Sequence, residues 1–391
     1  MTTSRYSPGA SPGYFQVDFN QMPFTLAWEI TKACALNCIH CRAVAQKKRN
    51  PLELTTAEGF RLIDQIVEMG KPILIVTGGD PLMRRDVYDL LSYAVGQGLR
   101  VALSPSATKL VKREALQRVK DAGVHMVHLS VDGSRPEVHD TFRGFRGSFQ
   151  RSIEILHDLK DMDIPFQIGT TVNRHNLLDL PDIARVVEEV GTTVWSVFFL
   201  VPTGRGQVSD MITPAEHEAT FNWLYELSQR VPFHIRTTAA QAYRRVVIQR
   251  TRAAQDAPAT REEGAPMQWE LTGAGYAFKE GRAPLEKGVN DGNGFCFIDH
   301  LGNVCPSGFL QVPAGNVRQQ HVAEIYRNAP LFQDLRDPDK LTGKCGACEF
   351  KQVCGGSRGR AYGLTGDYLA SDPTCAYVPQ TLRTPVPTPA P

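Results

Sequence analysis

Residues 25–43 read TLAWEITKACALNCIHCRA, an apolar run followed at once by three cysteines, Cys34, Cys38 and Cys41. The run at 25–30 has the length and composition of a buried strand. The cysteines, spaced C-x3-C-x2-C, therefore sit on the loop that leaves its C-terminal end. Outward from this stretch one pattern repeats. Strands are expected at 72–79, 100–106, 125–133, 165–173 and 193–202, and helical spacing falls at 55–70, 86–98, 110–123, 148–162, 180–191 and 213–231. Thr55 or Thr56 is the expected N-cap of the first helix. Six strands, each followed by a helix, require right-handed crossovers and a parallel sheet. Periodicity leaves a partial (β/α)6 barrel and an open doubly wound sheet both standing. In either, reactive loops follow the C-terminal ends of the strands.

The 391 residues carry 43 Lys+Arg against 41 Asp+Glu, a net charge of +2. No global field marks a nucleic-acid or anionic-membrane binder. No apolar run reaches 18 residues, so no transmembrane helix is expected. The opening MTTSRYSPGASPGY lacks the apolar core of a secretion signal, so the expected compartment is the cytoplasm. There the nine cysteines would stay reduced, and their clustering points to metal or redox chemistry. Residues 1–20 read as a flexible lead and 252–266 as a surface loop. A Gly- and Cys-rich second domain begins near 290, and TLRTPVPTPAP (381–391) reads as a Pro-rich tail.

Three thiolates on one short loop can hold three corners of a cubane iron–sulfur cluster and leave one iron open to a ligand. A zinc site would need His40, which lies awkwardly between two of the cysteines. Downstream, KCGACEFKQVCGGSR places Cys345, Cys348 and Cys354 at C-x2-C-x5-C, and Cys375 follows in DPTCAYVP. Four cysteines close a second cubane site, or equally a zinc ribbon. Cys296 and Cys305 remain, too few for another all-Cys cubane, and read as structural.

The three-Cys loop after the first strand of a β/α array resembles the radical S-adenosylmethionine (SAM) superfamily. The resemblance implies that Cys34, Cys38 and Cys41 hold a [4Fe-4S] cluster whose open iron binds SAM. The reduced cluster then cleaves SAM to a 5′-deoxyadenosyl radical that abstracts a substrate hydrogen. TGGDP (77–81) is similar to the family's GGEP-type motif, with Asp80 in place of Glu, and His40 stands where an aromatic residue is usual. By the same resemblance Gly78, Gly79, Asp80, Ser104, Ser130, Arg143 and Asn173 are SAM contacts.

The later cysteines resemble the SPASM extension, which implies an auxiliary [4Fe-4S] cluster on Cys345, Cys348, Cys354 and Cys375. Arg358 stands where the full SPASM pattern has a further Cys. The expected organisation is therefore a radical-SAM partial barrel at 21–235, a connecting segment at 236–290 and a SPASM-like domain at 291–380. Within this group, GNVCPSGFL and CGGSRGRAYG resemble enzymes that trim tetrapyrrole propionates, including the haem synthases acting on iron-coproporphyrin. Arg205, Arg358 and Arg360 are the candidate propionate partners. A SPASM maturase acting on a ribosomal peptide is the alternative, and a non-catalytic zinc module the remote one. An external one-electron reductant such as flavodoxin or ferredoxin is implied.

Overall fold

The computed structural model describes residues 17–256 and 288–383. Seven strands form the parallel core: β1 (Thr25–Glu29), β2 (Ile73–Thr77), β3 (Val101–Leu103), β4 (Met126–Ser130), β5 (Phe166–Val172), β6 (Val194–Phe199) and β7 (His234–Thr238). The helices between them are α1 (Thr56–Met69), α2 (Val87–Gly96), α3 (Arg113–Asp121), α4 (Pro136–Arg143), α5 (Ser148–Asp161), α6 (Leu180–Val190) and α7 (Pro214–Ser228). Then follow α8 (Ala242–Asp256), β8 (Phe295–Ile298), β9 (Asn303–Cys305), β10 (Gly315–Asn316), α9 (Val322–Asn328), α10 (Pro330–Arg336), α11 (Gly343–Gly346) and α12 (Arg358–Thr365).

The strands lie in the order β10-β9-β8-β1-β2-β3-β4-β5-β6-β7. A doubly wound sheet reverses its order at a switch point. Here β1 to β7 run in sequence order, so the chain winds in one direction as a partial barrel. β8 pairs in parallel with β1, and β9 and β10 add antiparallel edges. The cysteine-rich end of the chain thus begins as an extension of the barrel sheet.

The core explains why these elements form. β1 is buried along its length, and Trp28 is fully buried with Leu26 and Ile30. Thr55 caps α1 in a reciprocal pair with Glu58, and Arg318 reaches across to bind the same carboxylate at 2.7 Å. That guanidinium, with the capping bonds, pulls the Glu58 carboxyl down to about 2.

Three expectations need correction. A seventh strand, β7, follows the six; HIRTT is short and polar, and its weak alternation hides it. Residues 252–256 continue α8 and are not loop, because Ala, Arg and Gln favour helix; the rest of that expected loop, from 257, lies outside the described residues. Residues 17–20, expected within the flexible lead, belong to the folded part. Val17 and Phe19 are buried, and the Tyr326 hydroxyl donates to the Phe19 carbonyl at 2.8 Å. The tail from 384 lies outside the described residues, as do residues 1–16.

The loop bearing the first cysteines is fixed by backbone contacts. Gly79 N donates to the Thr31 carbonyl at 2.8 Å and Asp80 N to the Ala33 carbonyl at 2.7 Å. A Cβ on Gly79 would stand 2.5 Å from the Ala33 oxygen, and one on Gly78 would stand 2.6 Å from that of Thr31. Two buried carboxylates complete the anchorage. Glu53 accepts from Thr31 Oγ1 at 2.7 Å and from Arg49 at 2.6 Å. Glu29 meets Arg42 at 2.9 Å and His300 Nδ1 at 3.1 Å. Burial alone would raise the Glu29 carboxyl, but Arg42 and His300 outweigh it and hold it below the usual range. Gly79→Ala should therefore destabilise the protein by about 1–3 kcal/mol, the scale of an overpacked site. A lowered thermal unfolding midpoint of the anaerobically purified variant is the expected result; an unchanged midpoint would contradict this role for the glycine pair.

Candidate active site

One cavity of about 370 Å³ runs along the inner face of the sheet to the C-terminal ends of its strands. It brings together Cys34, Cys38, Cys41, Gly78, Gly79, Ser104, Ser130 and Arg143, residues up to 109 positions apart in the chain. Ser106 joins them, bridging Cys34 Sγ at 3.4 Å and the Gly79 carbonyl at 2.9 Å. Asp80 and Asn173 do not line the cavity. The Asp80 carboxylate is fully buried and accepts from Thr108 Oγ1 at 2.8 Å and Leu82 N at 3.2 Å, capping a short turn. Asn173 is also buried; its amide donates to the Thr171 carbonyl at 2.7 Å and accepts from His175 N at 2.8 Å. Both side chains shape the loops behind the cavity.

Arg143 ion-pairs with the buried Asp132, and its Nη1 reaches Cys38 Sγ at 3.8 Å. Burial works against its charge, but Asp132 and Cys38 outweigh it and keep the guanidinium ionised. Burial pushes the Cys34 and Cys38 thiols up, opposed by Ser106 and by Arg143 respectively. His40 stacks on Phe142 with centroids 4.0 Å apart, and burial together with Arg143 and Arg205 keeps it neutral.

Three buried polar atoms around this loop lack partners: Arg143 Nε, Arg205 Nη2 and His40 Nδ1. The two guanidinium atoms are obligate donors. Donors without acceptors beside three thiols fit an anionic, sulfur-rich group that brings acceptors of its own. The thiols would give up their protons on metal binding.

The second cysteine group converges as completely. Cys345, Cys348, Cys354 and Cys375 border one small cavity of about 30 Å³. α11 supplies the first, the following turn supplies the next two, and the turn after α12 the last. Gly356 N donates to Cys354 Sγ and Asp372 N to Cys345 Sγ, each at 3.4 Å. Burial pushes the Cys354 thiol up to about 12 and raises those of Cys348 and Cys375. All nine cysteines are free thiols. Among the described residues no group of three or more His, Cys, Asp or Glu side chains is disposed around a single ion.

Arg358 and Arg360 are buried and fully employed. Arg358 donates to the Tyr368 and Ala370 carbonyls and reaches Cys345 Sγ at 3.6 Å. Arg360 binds Asp372, Thr374 and two backbone carbonyls. These two arginines lace the auxiliary cysteine loops and leave nothing for a propionate. Arg205 differs. It lines the main cavity, binds the Cys38 carbonyl at 2.9 Å and Asn37 at 2.9 Å, and keeps Nη2 unpaired. Cys296 and Cys305 lie in separate apolar clusters and border neither cavity.

Sequence reasoning missed Arg42, His128, Gln167 and Arg236 on the cavity wall. The signal was present for His128, which shares a strand face with Ser130 at period two.

A radical SAM superfamily pattern matches residues 28–187, and the SPASM iron–sulfur cluster-binding domain matches residues 290–349. The chain is 41% identical over 357 residues to the AdoMet-dependent heme synthase of Methanosarcina barkeri, covering 91% of this chain and 97% of that one. The heme synthase of Nitratidesulfovibrio vulgaris is also 41% identical, over 91% of this chain and 93% of its own. The PqqA peptide cyclase of Rhodopseudomonas palustris stands further off, at 27% over 92% and 88%. Among solved structures, Streptococcus suis SuiB bound to S-adenosylmethionine superimposes with a TM-score of 0.65 at 14% identity, over 91% of this chain and 78% of that one. Native anSMEcpe with bound AdoMet gives 0.65 at 12%, over 90% and 93%. These two share the fold. The chain belongs to the radical SAM enzymes with a SPASM domain, in the family of the AdoMet-dependent heme synthases.

Proposed function

We propose that this enzyme oxidatively decarboxylates propionate side chains of an iron-tetrapyrrole. The observation that carries the reading is 41% identity to heme synthases along almost their whole length. The cavity supports it by joining three thiols to guanidiniums within one space. Cys34, Cys38 and Cys41 hold the SAM-binding [4Fe-4S] cluster, and Cys345, Cys348, Cys354 and Cys375 hold the auxiliary one. When bound and reduced by an external one-electron donor, such as flavodoxin or ferredoxin, the first cluster supplies SAM-derived hydrogen abstraction.

The chain's own residues do the rest. Gly78, Gly79, Ser104, Ser106 and Ser130 line the wall beside the three thiols and offer backbone and hydroxyl groups to SAM. Asp80 and Asn173 hold the loops that carry them. Arg143, held by Asp132, sets a fixed positive charge over Cys38. Arg205 presents its unpaired Nη2 to a substrate carboxylate. The apolar wall, with Ala27, Ile75, Ala102 and Phe297, keeps water from the reacting carbon. For each propionate the substrate gives one hydrogen atom to the SAM-derived radical and one electron to a one-electron acceptor, releases carbon dioxide, and keeps a vinyl group.

Three outcomes follow. Anaerobic reconstitution should give about eight irons per chain, two four-iron cubanes, and about four in Cys375→Ala; about four in the unaltered protein would remove the auxiliary cluster. Incubation with reductant, SAM and iron-coproporphyrin should yield products lighter by the mass of formic acid per propionate. Deoxyadenosine with unchanged porphyrin would point instead to a peptide or another small molecule. Arg205→Gln should raise KM for iron-coproporphyrin about tenfold, the worth of one charge-assisted hydrogen bond. Uncoupled SAM cleavage should persist; an unchanged KM would free Arg205 of this role.

A further inference from the structure

Beneath the cysteine loop the inner wall of the barrel carries a hydrogen-bonded row across three adjacent strands. Ser196 on β6 donates to Gln167 Oε1 on β5 at 3.4 Å, and Gln167 Nε2 lies 3.0 Å from His128 Nδ1 on β4. All three line the cavity. Gln167 and Ser196 are buried, while His128 keeps part of its surface open. Space for the ring exists only because residue 169 is glycine. A Cβ there would stand 2.3 Å from His128 Cε1 and 2.4 Å from Nε2. Phe198 closes the far side edge-on, with centroids 5.9 Å apart. The imidazole is therefore fixed in place and direction.

Two other histidines border the cavity. His139 has both ring nitrogens engaged, Nδ1 by Asp132 N at 3.0 Å and Nε2 by Ser148 Oγ at 3.3 Å. His40 lies flat on Phe142 with its Nδ1 sealed off. His128 Nε2 has no hydrogen-bond partner among the described residues, its ring stays partly open, and its other nitrogen is held by Gln167. Burial, Arg143 and Arg236 hold its pKa at about 4, so at neutral pH the ring is uncharged and its lone pair is available. The Gln167 amide and the Ser196 hydroxyl each carry both a donor and an acceptor. As placed, the Gln167 NH2 donates to Nδ1, which puts the ring proton on Nε2; with the amide turned over, Oε1 accepts from Nδ1–H, the NH2 donates to Ser196, and the Nε2 lone pair of the ring is free. An orienting hydrogen bond on one ring nitrogen is what a metal-bound histidine ordinarily has on the other.

We propose that His128 Nε2 is an axial ligand to the iron of the tetrapyrrole substrate, oriented by Gln167 and Ser196. This rests on the iron-tetrapyrrole reading above. It gives the substrate a fixed point on the barrel floor, independent of its carboxylates. The porphyrin ring is thereby held at one height, and its edge, with the propionates, is turned toward the cysteine loop.

The test uses the reconstituted holoenzyme with its clusters oxidised and ferric coproporphyrin as the probe. Pulsed EPR should detect coupling of an imidazole nitrogen to the ferric iron in the unaltered enzyme. In His128→Ala that coupling should vanish and return on adding free imidazole. Ferric coproporphyrin should bind the variant about tenfold or more weakly, the scale reached when even an outer-shell group at a metal site is lost. Metal-free coproporphyrin should bind both proteins equally. Unchanged nitrogen coupling in the variant would overturn the assignment, as would an equal loss of affinity for the metal-free ring, which marks packing alone. If the unaltered enzyme decarboxylates iron-coproporphyrin while either result holds, only the axial ligand fails. If it neither binds nor converts the porphyrin, the functional reading fails as well.

Discussion

Two backbone hydrogen bonds, from Gly79 N and Asp80 N to carbonyls of the cysteine loop, fix where the chemistry of this protein takes place. They join the loop leaving β1 to the turn leaving β2 so closely that no side chain fits between. From that contact the rest follows. Cys34, Cys38 and Cys41 are held over the barrel mouth, Ser106 is drawn in from the next strand, and Arg143 is brought beside Cys38. The Glu29 and Glu53 anchors matter for the same reason. A loop of free thiols has little apolar surface of its own, and buried carboxylates with well-placed donors give it one conformation.

The two cysteine groups are built on different principles. The first faces a large cavity and leaves donors without acceptors around it. The second borders a small cavity, and two of its four sulfurs receive backbone N–H bonds. Arg358 sharpens the contrast. Standing where a further cysteine is usual, it stitches the Tyr368–Ala370 segment to Cys345, so a position that would bind metal instead ties the loop that leads to Cys375.

Much of this was legible in the chain because its strongest signals are local. The alternation of apolar runs and helical spacing revealed the parallel sheet, and cysteine spacing separated two cluster sites. What stayed hidden depends on pairing across the sheet. Strand order, which distinguishes the barrel from a doubly wound sheet, is not written in periodicity. β7 went unseen because HIRTT lacks an apolar run. Asp80 and Asn173 were expected at the ligand; their types suit it, but only the fold shows their side chains turned into the loops behind. Arg358 and Arg360 looked like carboxylate binders for the same reason. Conversely, the Ser196–Gln167–His128 row spans residues 128 to 196 on three strands, and nothing in the linear sequence joins them.

The first cysteine loop should hold a cluster with one iron open to SAM. EPR of the reduced Cys375→Ala protein, with and without SAM labelled at its amino nitrogen, tests it most directly. A change in g-values on adding SAM, with hyperfine coupling from the label, is the predicted result. A spectrum that ignores SAM would contradict the account.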